Sequence, residues 1–246
     1  MRRIGTGLLA ALCVAGCNIK PPARTVDDRS SLGSARQALA EGAAGTSLAI
    51  ARGVLDSQPR NVAALVQAGN AEAALGDRIA ADDSYKRALA ISSSDVGARL
   101  GLAKLMIRDN LPGAEAALRQ ILASAPRNAI VLTDLGYVLD LQERHAEAQV
   151  YYQQAIAVDP TRISSRTDLA LSLALSGHAE QAEQMFRDIT ANAGATQKVR
   201  LDFALAQVLA GHDKDAAVTL ANELTPEEAQ SALQGLEQLR PATKAN

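Results

Sequence analysis

The chain has 246 residues, 48% of them hydrophobic, which is ample for a core, and a formal charge of −2. Without Arg2 and Arg3 the balance is 23 basic against 27 acidic residues, so no polybasic face draws it to phosphate, and 2% aromatics leaves little for bases to stack on. Nucleic acid is excluded as a partner, and a core with no Trp, two Phe and four Tyr must be built from small and aliphatic side chains, which suits closely packed helices.

Arg2 and Arg3 precede an apolar run from Ile4 to Gly16. At about 1.5 Å per helical residue this run reaches roughly 20 Å, short of a ~30 Å hydrocarbon core. It reads as the apolar segment of a secretory signal peptide covering residues 1–16. Val14-Ala15-Gly16 before Cys17 resembles the lipobox of bacterial lipoproteins, which are cut on the amino side of an acylated cysteine. That resemblance implies that Cys13 leaves with the leader and that Cys17 becomes the lipidated first residue. Stable attachment needs two membrane signals, and a multiply acylated cysteine meets that need. Asn18, where the sorting pattern of enteric lipoproteins retains proteins carrying Asp, implies transfer to the outer membrane.

Residues 17–29 read as the anchor and a polar tether, "NIKPPARTVDDR" following the cysteine, with Pro21-Pro22 and no helical period. Twelve residues at ~3.3 Å each span at most about 40 Å, which would hold the folded part near the membrane.

From there a period appears. Gly42, Gly76, Gly177 and Gly211 share one phase of a 34-residue repeat, with Asn110 and Glu143 at the same phase if the middle unit is one residue short. The clearest unit is "AIVLTDLGYVLDLQERHAEAQVYYQQAIAVDPTR", residues 129–162, with Leu135-Gly136, Ala148, Tyr152, Ala155 and Pro160. These spacings resemble the tetratricopeptide repeat, two antiparallel helices packed through a small residue on each. The template also fits residues 62–95 through Ala68-Gly69, Ala81, Tyr85 and Ala88, and residues 163–196 through Leu169-Ala170, Ala182 and Phe186. A weaker copy starts at Gln197, with Phe203-Ala204 and Ala216, residues 96–128 form the short unit, and a degenerate first unit closes at Pro59.

Tyr85, Tyr152 and Phe186 are expected in the core between units, with turns within pairs at Gly76, Gly177 and Gly211 and second helices ending near Pro59, Ser93, Pro126 and Pro160. Gly194 replaces the proline in the penultimate unit. After Leu224, Thr225 caps a helix opening at Pro226, with Leu233, Leu236 and Leu239 on one side. The expected architecture is all-α: a right-handed superhelical solenoid of about six such helix pairs over residues 30–224, closed by a capping helix and tail over residues 225–246.

No catalytic constellation is expected. Ser47 and Ser172 lie in helical stretches without a nucleophile elbow, and adjacent acids such as Asp82-Asp83 point about 100° apart on a helix. His145, His178 and His212 fall in successive turns and read as exposed turn residues, so neither a metal nor another cofactor is expected, nor a small-molecule substrate. What remains is a surface. By alignment to the repeat, Asn70, Lys104, Tyr137, Leu171 and Leu205 line the concave face, with Thr133 and Leu201 nearby. Such a strip, polar at one end and apolar at the other, suits a helix or extended segment of another protein, though some of these residues could instead pack against the terminal helix.

The stretches "LGYVLDLQERHAEAQVYYQQAIAVDP" and "DLALSLALSGHAEQAEQMFRDITANAGATQKVRLDFALAQVLAGHDKDAA" together resemble the TadD-type tetratricopeptide lipoproteins of the tight-adherence, or Flp pilus, assembly system. Glu143 departs from that pattern where the turn usually has Gly. The resemblance implies a noncatalytic lipoprotein on the periplasmic face of the outer membrane that helps the secretin or other pilus components assemble. The same anchor and groove would serve a periplasmic adaptor for envelope or peptidoglycan enzymes.

Overall fold

The computed structural model describes residues 28–191 and 195–240. The leader, Cys13, Cys17 and Asn18, the tether up to residue 27, Gly194 and residues 241–246 lie outside the described residues.

Thirteen α-helices and no strand are present among the described residues. They pair as α1 (Asp28–Ala40) with α2 (Ala44–Ser57), α3 (Val62–Ala74) with α4 (Arg78–Ile91), and α5 (Val96–Met106) with α6 (Leu111–Ser124). Then come α7 (Ala129–Asp140) with α8 (His145–Val158), α9 (Ile163–Leu175) with α10 (Ala179–Thr190), and α11 (Gln197–Leu209) with α12 (Asp213–Ala221), and α13 (Pro226–Glu237) ends the array. Asp28 and Arg29, expected in the tether, form the first turn of α1.

The helix starts follow from local chemistry. Asn61, Asp77, Asp95 and Asn110 each accept a bond from the backbone N–H three residues on, at 3.0, 3.1, 2.8 and 2.9 Å, which satisfies a donor the helix itself leaves unpaired. At Thr225 the reciprocal capping box with Glu228 is complete.

Packing between pairs depends on small residues. The ring of Tyr85 is buried so close to two helices that a Cβ on Gly69 of α3 would meet it at 2.6 Å, and one on Gly101 of α5 at 2.3 Å. Within the α7–α8 pair a Cβ on Gly136 would meet the Tyr152 ring at 2.6 Å, and between pairs Phe186 stacks on Phe203 with ring centroids 6.1 Å apart. The Tyr85 and Phe186 rings fill the space between pairs, as their repeat positions suggest. First helices pack on the next first helix, α1 on α3, α3 on α5, α7 on α9 and α9 on α11, and this puts them on the inner side of the curved array.

One sequence expectation needs correction. Gly42, Gly76, Gly177 and Gly211 do take left-handed turns, with φ of 81°, 84°, 89° and 84°, and Glu143 is forced into the same region at 61°. Asn110, read at the same phase, has φ −152° and caps α6 instead. From the start of α3 at Val62 to that of α4 at Arg78 there are 16 residues, but from Val96 to Leu111 only 15, so the residue missing from the third unit is the left-handed one. Asn110 therefore corresponds to Asp77, which caps α4.

A left-handed conformation costs a residue with a Cβ about 1–2 kcal/mol, partly offset by the greater chain entropy of glycine. Glu143→Gly should therefore raise stability by about 0.5–1 kcal/mol in urea unfolding, with no comparable gain at Asn110→Gly. Gly101→Ala should cost about 1–3 kcal/mol, because the Tyr85 ring is enclosed on both sides.

Candidate partner-binding groove

The seven residues expected on the inner face fall in three settings. Asn70 and Lys104 line one cavity of about 770 Å³ with Val66, Leu100, Leu105 and Ile130. Gly97, Gly101 and the Tyr85 ring complete its lining. Asn70 Oδ1 accepts from the Tyr85 hydroxyl at 2.8 Å, so this groove residue also fixes the core ring. Lys104 is exposed, and its ammonium lies 3.2 Å from Asp134 Oδ2, close enough for charge pairing but with no aligned hydrogen bond to that oxygen.

Tyr137 is 46% exposed and Leu171 is half-buried on the face of the C-terminal half. Leu205 is likewise half-buried. Thr133 and Leu201 are placed differently. Thr133 is buried, bonded to Ala129 O at 2.8 Å and to the Ser165 hydroxyl at 2.7 Å, so it joins α7 to α9 and offers little to a ligand. Leu201 packs against the same buried cluster as Leu233 and Leu236 of α13, on the side of the alternative that places some of these residues against the terminal helix. Leu239 lies beyond α13 and is exposed, and Arg240 reaches back to Val208 O at 3.0 Å.

A feature the sequence reading missed joins the C-terminal half. Asp134, Asp168 and Asp202 recur every 34 residues on α7, α9 and α11. Asp134 has Lys104, and Asp202 has Lys198 at 2.6 Å. Asp168 has no ion pair within 4.0 Å among the described residues. Burial pushes its carboxyl up to about 6; the Lys198 charge opposes this, and Asp134, Asp202 and Asp140 add to it. The signal was in the sequence, since an aspartate at a fixed place in three consecutive repeats is as periodic as the glycines.

Asp140 is part of a separate network. It accepts from the Tyr152 hydroxyl at 2.9 Å and the Ser172 hydroxyl at 2.8 Å, and it lies 2.8 Å from His145 Nδ1. The Tyr152 phenol is pushed above its usual range by burial first, then by Asp140, Asp168 and Tyr137, so all three converge on it.

The histidines were expected as exposed turn residues, and two are more engaged than that. His145 is mostly buried against Asp140, and His212 Nδ1 lies 2.6 Å from Oε2 of the buried Glu183. His178 Nδ1 is 3.2 Å from the Ser176 hydroxyl. Glu183, His212 and Asp215 offer ligand atoms within 4.8 Å of one another, but Glu183 already receives Arg187 at 2.7 Å and His212, so both of its oxygens are occupied. The cluster is explained as an ion-paired joint between α10 and α12. No described helix is long and apolar enough to cross a membrane.

Comparison with known proteins agrees with this geometry. The tetratricopeptide repeat model matches residues 129–162. No curated protein matches the chain. Among solved structures, Pseudomonas aeruginosa pilF superposes with a TM-score of 0.64 at 15% identity, covering 86% of this chain and 96% of that one. PilW, described as a widely conserved type IV pilus biogenesis factor, gives 0.68 at 17%, over 85% of this chain and 97% of that one. The Cut9–Hcn1 assembly gives 0.74 at 14%, over 85% of this chain but 42% of the other. Such identities establish the fold, a tetratricopeptide-repeat solenoid, and nothing finer.

The raised Asp168 carboxyl has a consequence for stability. An aspartate titrates near 4 in the unfolded chain and about 6 here, so folding takes up a proton between those values and stability falls as pH rises through that window. Asp168→Asn removes the penalty. It should stabilise the protein at pH 7 by on the order of 1–2 kcal/mol, and the gain should vanish below about pH 4, as thermal melts across pH would show.

Proposed function

We propose that this protein is a noncatalytic, lipid-anchored solenoid that acts as a protein-binding assembly factor in pilus biogenesis of the Flp, or tight-adherence, type. Its partners would be the secretin or other components of that assembly. Tetratricopeptide repeats generally serve as interaction scaffolds rather than enzymes, and their curved array leaves a continuous inner face for a partner segment.

The observation that carries the reading is the likeness in fold and extent to PilW, a type IV pilus biogenesis factor, over nearly the whole of that protein. It is supported by the sequence features that precede the folded part. Arg2 and Arg3, the apolar run and Val14-Ala15-Gly16-Cys17 form the pattern of a lipoprotein leader, and the tether would hold the groove within about 40 Å of the membrane. With Asn18 after the cysteine, the lipid anchor would be in the outer membrane, facing the periplasm.

Deleting the gene should abolish surface pili and lower the amount of secretin multimer, measured by electron microscopy and by immunoblotting of unheated membranes. Normal pili and normal multimers would refute the assignment. Normal pili together with capture of a cell-wall hydrolase would favour the envelope-adaptor alternative. Cys17→Ala should leave the helical circular dichroism unchanged while releasing or mislocalising the protein. An unaltered mass with unchanged membrane fractionation would show that Cys17 carries no lipid.

A further inference from the structure

The inner face of the C-terminal half has a charge imbalance that the solenoid does not resolve internally. On α5, Lys104 pairs with Asp134 of α7. One repeat further, Tyr137 stands where Lys104 stands and Asp168 where Asp134 stands. One more repeat on, Leu171 and Asp202 occupy the same two places. The array therefore repeats the carboxylate three times but supplies the cross-pair cation once. Asp202 is compensated by Lys198 on its own helix, at 2.6 Å. Asp168 has no such neighbour. Its counterpart position on α9 is Ser164, so no lysine stands four residues before it as Lys198 does before Asp202.

The groups facing Asp168 from the elements around it are Asp134 and Asp140 on α7 and Asp202 and Lys198 on α11, three acids against one already paired base. Tyr137, which by repeat position stands to Asp168 as Lys104 stands to Asp134, is exposed. A guanidinium placed there could take a paired contact from the Asp168 carboxylate and lie on the Tyr137 ring, both favourable for a planar cation. Leu171 and Leu205 continue the same face in the direction of α11 and offer apolar contact to flanking residues. The other half of the groove has the opposite character. Its cavity carries Arg78, Lys104 and Arg108; Arg78 and Arg108 share Asp109, at 2.6 and 4.0 Å, and Lys104 has Asp134 at 3.2 Å, so three cations meet two carboxylates. A basic group is disfavoured there and favoured on the α7–α11 face.

We infer that the inner face of α7, α9 and α11 is a docking site for a basic segment of another protein, in which an arginine or lysine flanked by apolar residues is received between Asp168 and Tyr137. This rests on the protein-binding reading above and names the chemistry of the partner at that same groove. Charge complementarity sets the occupant: the site has a surplus carboxylate, an aromatic face and an apolar continuation, which an acidic or purely apolar segment would leave unmatched. Loss of the carboxylate would then cost binding without costing the fold, because Asp168 lowers stability in the free protein.

The test uses the full chain on an array of 15-residue peptides of random composition spanning a wide range of net charge. Bound peptides should be enriched in arginine or lysine next to apolar residues. Asp168→Asn should weaken them at least tenfold, Asp202→Asn less than threefold, and Asp168→Lys should shift the preference to peptides bearing Asp or Glu. Melting curves separate lost binding from lost folding, since Asp168→Asn is expected to melt no lower than the parent chain. Absence of peptide binding, binding without cation enrichment, or enrichment indifferent to Asp168→Asn would each overturn the inference. A salt-sensitive dimer in sedimentation that Asp168→Asn dissolves would place the basic segment on a second copy, which also overturns it. The same variant in cells separates this from the pilus assignment. If gene deletion removes pili and Asp168→Asn with unaltered peptide binding retains them, only the docking site fails; if deletion leaves pili intact, the pilus reading fails and the array result stands.

Discussion

The structure depends on the approach of an aromatic ring to a helix that has no side chain in its path. Tyr85 fits only because Gly69 and Gly101 leave their faces bare, and Tyr152 because Gly136 does. Two helices pack at about 8–10 Å, and the nearer end of that range requires small residues at the crossing. The ring then occupies the room that the glycine leaves and fixes how far the next pair stands off. The Tyr85 ring sets the α3–α4 pair against α5 in this way, and with the first helices packed on one another on the inner side, the groove is a product of core packing rather than of loops.

Apolar rings alone would allow neighbouring pairs to slide, and buried polar links oppose that. Gln67 donates to the Ser47 hydroxyl at 2.8 Å, Thr133 meets Ser165 at 2.7 Å, the Ser172 hydroxyl donates to Asp140 at 2.8 Å, and Arg200 donates to Glu223 Oε2 at 3.0 Å. Each joins a helix to one in the adjacent pair or to the segment that follows it. A buried hydrogen-bonding group contributes modestly when paired but is costly when left unpaired, so a slipped register would be penalised at several places at once. The Asp140 network shows how the two layers couple, since the same carboxylate receives the core ring of its own pair and a serine of the next.

Much of this was legible because a solenoid repeats its constraints. Glycine at left-handed turns, small residues at crossings and an aromatic filler recur at 34-residue spacing, and recurrence separates them from chance. Asn110 was misread because a single deleted residue moved the phase within one turn, and sequence spacing alone does not say whether the residue lost is the left-handed one or the cap. Thr133, Leu201, His145 and His212 were read from their places in the repeat, whereas their surroundings depend on partners on other helices: Ser165, the α13 leucines, Asp140 and Glu183. The aspartate row was visible but unread, because an exposed-looking acid on a helix is ordinary until the cation opposite it is seen to be missing from two repeats of three.

That row also explains why a surface residue can work against its own fold. A carboxylate partly withdrawn from water and without an ion pair raises the free energy of the folded state, and the simplest repair, an asparagine or a lysine across the groove as at Lys104, is close at hand in the same repeat pattern. A residue that costs stability is retained without contradiction if a partner removes the cost on binding, since the desolvation is already partly met before the cation arrives. The cationic cavity at α3–α5 and the carboxylates at α7–α11 then give the groove a direction. A bound segment with its basic residue toward α9 is favoured, whereas the reversed segment would set that residue against Arg108 and Lys104 and leave Asp168 uncompensated. The polarity of the inner face thus selects both the chemistry of a partner and the sense in which it lies.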